Sequence, residues 1–88
     1  MGDIIQCNIR GVKTENLRDQ KVQLVSHILS NNKTRVLSLQ ETRITNDNQI
    51  PKDWLNFKHL YHIVSSNATE IDPGSGIIIF VKKTEDVL

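Results

Sequence analysis

The chain has 88 residues, room for one small domain, since most domains run to about 100–150. Eleven Lys and Arg against ten Asp and Glu leave a formal net charge of +1, which argues against a basic tail built to coat nucleic acid and against an acidic solvating tail. A single cysteine rules out an internal disulfide and a Cys-rich zinc site, and a hydrophobic fraction of 38% lies far above a disordered composition.

Asp3 to Ile9 is apolar and β-branched and stops at Arg10-Gly11. It predicts a first strand, buried on both faces at Ile4 and Ile5. Leu17 to Leu29 predicts a helix, with Val22, Val25 and Leu29 in one stripe and Leu17, Leu24 and Ile28 in a second. Thr14 or Asn16 can cap its start, and Asp19 suits the positive end of its dipole. Asn31-Asn32 can stop it in the left-handed conformation. Val36 to Gln40 is a second strand, and strand, helix, strand in this order predicts two parallel neighbours.

Glu41 to Lys58 is polar and carries Pro51, so it reads as a long loop or a short helical turn, pinned by Trp54 and Phe57. Leu60 to Ser65 is a third strand. Asp72 to Gly76 is a turn in which Pro73 presets φ and Gly74 supplies a positive φ. Ile77 to Val81 is apolar throughout and belongs in a sheet centre, antiparallel to the third strand. The fold class expected is α/β: a mixed sheet with one main helix on one face.

Ligands of open α/β sheets collect where parallel strands end. The first strand ends at Asn8-Ile9-Arg10-Gly11 and the second at Leu39-Gln40-Glu41-Thr42-Arg43. If the strands are neighbours, Asn8 and Glu41 meet at one rim. A carboxylate beside a carboxamide suits a hard divalent cation, which takes oxygen ligands and completes its shell with water and phosphate. Arg10 and Arg43 would stand close by, where guanidinium groups pair with phosphate oxygens. The plainer alternative is that Glu41 is a solvated loop residue and Asn8 to Gly11 a simple turn.

Asn8-Ile9-Arg10-Gly11, then Leu39-Gln40-Glu41-Thr42, then Gly74-Ser75-Gly76-Ile77-Ile78-Ile79-Phe80 stand in order over nearly the whole chain. Together they resemble the start of the endonuclease/exonuclease/phosphatase superfamily, above all the apurinic-endonuclease-like domains of non-LTR (LINE-type) retrotransposons. The resemblance implies that residues 1–88 are the N-terminal third of one such domain, a partial α/β sandwich. It implies that Glu41 and Asn8 serve the catalytic metal, Mg²⁺ or Mn²⁺, with Asn8 also positioning the scissile phosphate. Arg10 stands where apurinic-repair members carry Asp and is more like the retrotransposon members. Arg43 takes a basic position that supports Glu41 or the nucleic-acid backbone. The implied reaction is metal-dependent hydrolysis of a phosphodiester, nicking DNA.

The family's Asp-x-Asn and Ser-Asp-His motifs, which supply the general base and the catalytic His, are absent from the sequence. Loss of the base alone removes about 10²–10⁴-fold in rate, so these 88 residues are expected to be inactive or nearly so by themselves. A sheet face of Ile4, Val36, Leu37, Ile77 and Ile79 is expected to lack its partner layer, and Gly76 to Val81 is an aggregation-prone segment. Two competing readings are a non-catalytic α/β module binding a protein or nucleic-acid partner, and a phosphatase member of the same superfamily.

Several features carry less weight. His59 and His62 straddle a strand start, where residues three apart face opposite ways. His27 reads as a boundary residue, Cys7 as a buried structural thiol, and Trp54 as a buried anchor rather than a base-stacking ring. Lys82 and Lys83 read as a solvated strand end. Gly74-Ser75-Gly76 precedes a strand, whereas a phosphate cradle opens a helix. Asn32-Lys33-Thr34 and Asn67-Ala68-Thr69 match the glycosylation sequon without a secretory signal before them. Gly2 lacks the Ser or Thr that myristoylation wants at position 6. No apolar run nears the roughly 18 residues of a membrane span. The expected location is intracellular, nuclear or cytoplasmic, away from membranes.

Overall fold

A computed structural model of the chain describes residues 2–11, 18–72 and 74–83. Four strands form one sheet: β1 (Asp3–Asn8), β2 (Thr34–Gln40), β3 (Tyr61–Ser66) and β4 (Ile77–Lys82), in the order β1-β2-β4-β3. β1 runs parallel to β2, and β4 runs antiparallel to both β2 and β3. Two helices accompany them, α1 (Arg18–Ser30) and the short α2 (Lys52–Leu55), with 3₁₀ turns at Asp47–Gln49 and Asn56–His59. The domain is therefore mixed α/β, and the apolar β4 lies inside the sheet, as its composition predicts. Among the described residues no helix is long and apolar enough to cross a membrane. The expected caps Thr14 and Asn16, the helix residue Leu17 and the turn residue Pro73 lie outside the described residues.

Strand pleating sorts side chains onto two faces. The pairings Ile5–Leu37–Phe80–Ile63 and Cys7–Leu39–Ile78 line one face. Val22, Val25 and Leu29, spaced three and four apart on α1, are buried in the same core cluster. Trp54, fully buried, meets Phe80 edge-on at 6.2 Å, and Tyr61 meets Phe80 edge-on at 6.3 Å. Edge-to-face contacts of this kind add about 0.5–1.5 kcal/mol beyond the area they bury. Each aromatic polar atom finds a partner on α1: Trp54 Nε1 donates to Val22 O at 3.2 Å and the Tyr61 hydroxyl to Leu29 O at 2.7 Å. The 41–58 segment thus contains short helical turns that hold Trp54 against α1.

Several expectations are corrected. Ile4 is 73% exposed, because its side of the sheet has no covering layer among the described residues. Leu37 is not on that open side: it points at Phe80 and is fully buried, while Ile4, Val36, Ile77 and Ile79 share the open face. Leu24 is 54% exposed on the helix flank, so the second stripe is only partly used. Cys7 is half-buried and free. Lys82 is engaged, donating to Asn32 O at 3.3 Å and lying 5.4 Å from the Tyr61 ring centre. Neither Asn31 nor Asn32 has positive φ. The last carbonyls of α1 are instead met by hydroxyls, Thr34 Oγ1 on Ile28 O at 2.7 Å and Tyr61 on Leu29 O.

Burial raises the Tyr61 hydroxyl above its ordinary value of 10.0, because the phenolate would lose its hydration. A raised acid binds its proton longer in the folded chain, so its contribution is whole below pH 10.0 and falls as pH rises through that value. Tyr61→Phe is expected to cost about 1–2 kcal/mol at neutral pH, read by urea unfolding, and to show a weaker loss of stability in alkali than the unaltered chain.

Candidate functional site

Parallel neighbours release their chains at the same edge of the sheet. β1 and β2 stay paired down to Asn8 opposite Gln40. The pairing runs on past the strands, with Ile9 N–H donating to Gln40 O at 2.9 Å and Gly11 N–H to Glu41 O at 2.7 Å. On its other side the chain after β2 is tied to the β3–β4 connection, through Thr42 N–H to Gly76 O at 3.0 Å and Arg43 N–H to Ser75 O at 2.8 Å. Thr42 and Ile44 are buried, and Ile44 O accepts from Ala68 N–H at 2.7 Å. Glu41 is therefore held between two sets of backbone bonds.

The described residues with positive φ gather on this rim: Arg10 at 53°, Gly11 at 88°, Glu41 at 56°, Arg43 at 58° and Gly76 at 111°. Glycine adopts such angles freely, whereas other L-residues lose roughly 1–2 kcal/mol each. Strain of this sort persists only where the surroundings over-determine it, and it concentrates at functional sites. Nothing in the sequence signals it, because Arg and Glu are not the usual left-handed residues. The turn before β4 also differs from expectation: the positive φ falls on Gly76 rather than Gly74.

The side chains meet as the strand ends dictate. Asn8 Nδ2 donates to Glu41 Oε2, and Asn8 Oδ1 accepts from Arg10 N–H at 3.1 Å. The backbone donor fixes which end of the carboxamide faces Glu41. Arg43 Nη2 stands 3.9 Å from Glu41 Oε1, with both side chains nearly half exposed. Solvent screens such a pair to at most about 1 kcal/mol. The Arg43 side chain lies across Gly11, where an added Cβ would come 3.1 Å from its Cδ. Arg10 is exposed on the same rim. All four residues singled out by the sequence are thus on one edge, with Asn8, Glu41 and Arg43 in direct succession.

Lys21 of α1 was not singled out by the sequence. Its Nζ lies 2.9 Å from Gly11 O and 3.3 Å from Arg10 O. A contact from a helix to a turn ten residues away leaves no local pattern to read.

Mg²⁺ and Mn²⁺ keep several waters and need only one or two protein carboxylates, so Glu41 alone meets that requirement. Asn8, expected as a second ligand, turns its NH₂ to Glu41 and its oxygen to Arg10 N–H, and so orients the carboxylate instead. Among the described residues no three of His, Cys, Asp and Glu cluster as they would for zinc. His59 and His62 are both exposed, on the turn and the strand respectively. Beside Glu41 opens a cleft of about 420 Å³, lined by Gln40, Ser66, Asn67, Asp72 and Ser75 among others. Its walls are the ends of β2 and β3 and the start of β4.

Gly76→Ala is expected to destabilise the chain by about 2 kcal/mol or more, since a Cβ there would collide with Thr42 Oγ1 and take a positive φ. Ser75→Ala, altering only an exposed hydroxyl bonded to Asp72 O at 2.8 Å, should cost less than about 0.5 kcal/mol. Thermal unfolding of both variants checks the difference. No protein-family model matches the chain, and no curated protein matches it.

Proposed function

We propose that this chain carries the metal-holding part of a metal-dependent endonuclease domain of the endonuclease/exonuclease/phosphatase type, of the kind found in LINE-type retrotransposons. What supports this most is the meeting of Asn8 and Glu41 at the shared end of two parallel strands, with Arg43 3.9 Å from the carboxylate. Glu41 would hold the Mg²⁺ or Mn²⁺ ion, with Asn8 orienting the carboxylate. When bound, the ion stabilises charge that develops on the phosphate and on the leaving oxygen. Arg43 and Arg10 are free to pair with phosphate oxygens of a DNA strand, since the Arg43–Glu41 pair is loose and screened. Gln40, Ser66, Asn67 and Ser75 line the cleft beside Glu41 and offer hydrogen-bonding groups to the sugar-phosphate chain next to the scissile bond.

The open sheet face agrees with a sandwich architecture. Ile4, Val64, Ile77 and Val81 are exposed there together. A second sheet packed about 10 Å away would cover them. With Glu41 committed to the metal, none of Asn8, Arg10 and Arg43 can deprotonate the attacking water. The 88 residues alone are therefore proposed to bind the metal and to cut poorly or not at all.

Two measurements test this. Mn²⁺ titrated into the isotopically labelled chain should broaden the resonances of Asn8, Glu41 and Thr42 first, and Glu41→Ala should weaken binding by about a hundredfold. A polypeptide continuing into Asp-x-Asn and Ser-Asp-His motifs should nick supercoiled plasmid in Mg²⁺, and Glu41→Ala should abolish nicking. Absence of Mn²⁺ binding at the rim would sink the metal reading and favour a non-catalytic interaction module.

A further inference from the structure

We infer that Lys21 is a positioning residue for the Asn8–Glu41 pair: its ammonium clamps the turn after β1 in the left-handed conformation that aims the Asn8 carboxamide at Glu41. The clamp stands on geometry alone, while its consequence for metal binding rests on the reading above.

In an extended strand, successive carbonyls point to opposite sides, so one cation cannot reach two neighbours. Lys21 Nζ reaches both Gly11 O, at 2.9 Å, and Arg10 O, at 3.3 Å. That is possible because both residues are curled to positive φ, at 88° and 53°. Gly11 adopts this angle without strain, but Arg10 does not. Arg10 needs an outside hold, and charge-assisted bonds to the carbonyls on either side of the Gly11 Cα supply part of one, beside the Gly11 N–H bond to Glu41 O. A lysine suits the task because its compact ammonium has three donors free to rotate.

The consequence passes through one hydrogen bond. Arg10 N–H donates to Asn8 Oδ1 at 3.1 Å, which turns Asn8 Nδ2 toward Glu41 Oε2. If the turn came loose, the Ile9–Arg10 peptide could rotate, and the carboxamide would lose the donor that fixes its orientation. Lys21 thus acts on Glu41 through the turn and through Asn8, with no contact to Glu41 itself. It projects from α1 and shares a groove of about 200 Å³ with Cys7, Asn8 and Leu24. The groove can keep the aliphatic stem of a neutral replacement in place.

The test compares Lys21→Met, which keeps the stem and loses the charge, with Lys21→Arg, which keeps the charge. Amide hydrogen exchange and side-chain amide resonances are read in the metal-free chain, and Mn²⁺ affinity is read separately. Lys21→Met should speed exchange at Gly11 N–H by about tenfold, move the Asn8 side-chain amide signals, and leave the amides of Leu37, Leu39 and Phe80 unchanged. Mn²⁺ affinity should fall by about tenfold, and Lys21→Arg should recover part of each effect. Unchanged exchange at Gly11 with unmoved Asn8 signals would overturn the clamp. So would a uniform rise in exchange across the core, which marks a merely structural lysine. Should Lys21→Met fail to fold, Lys21→Gln gives the same reading. If the unaltered chain binds no Mn²⁺ while the exchange results hold, the metal reading fails and the clamp stands.

Discussion

Two adjacent parallel strands must release their chains at the same edge of the sheet, and this constraint places every group at the rim. Asn8 and Glu41 are 33 residues apart in the chain and meet because β1 and β2 share a register. A parallel pair cannot be closed by a tight hairpin; it needs a crossover long enough to return to the starting edge. α1 lies within that crossover. β4, running opposite to β2, begins where β2 ends. Ser75 and Gly76, just before it, therefore brace the segment that carries Glu41. β1, β2 and β3 thus end at this edge, and β4 begins there.

Packing explains why that edge holds its shape. The core lies on one face only, with Phe80 at the centre of an aromatic group that includes Trp54 and Tyr61. Trp54 and Tyr61 also reach over to carbonyls of α1, so the helix is fixed to the sheet by polar as well as apolar contacts. α1 in turn carries Lys21, whose ammonium touches the turn after β1. Hydrophobic burial on one side of the sheet is thereby converted into positional order at its end.

Much of this was legible in the sequence. The β-branched runs and the strand–helix–strand order revealed the four strands, the main helix and the parallel pair. From these it followed that Asn8 and Glu41 would be neighbours. What escaped was set by tertiary context. Whether Ile4 or Leu24 is covered depends on layers that a local pattern does not contain. The left-handed angles of Glu41 and Arg43 are imposed by backbone bonds from distant segments, and that of Arg10 by the Gly11 N–H bond to Glu41 O together with Lys21, against the preference of those residues. The end of α1 was misread for a similar reason: hydroxyls from Thr34 and Tyr61 replaced the left-handed cap that Asn31 and Asn32 suggest.

The same three left-handed residues set stability against the site in a way the sheet core does not. At each of these positions glycine or asparagine would fit the backbone with less strain than Arg or Glu. A screen that rewarded only resistance to heat would accept such replacements at Arg10, Glu41 and Arg43 readily. The survivors would keep the same strands, helix and aromatic cluster. They would have lost the carboxylate and both guanidinium groups, and their greater ruggedness would be the record of that loss.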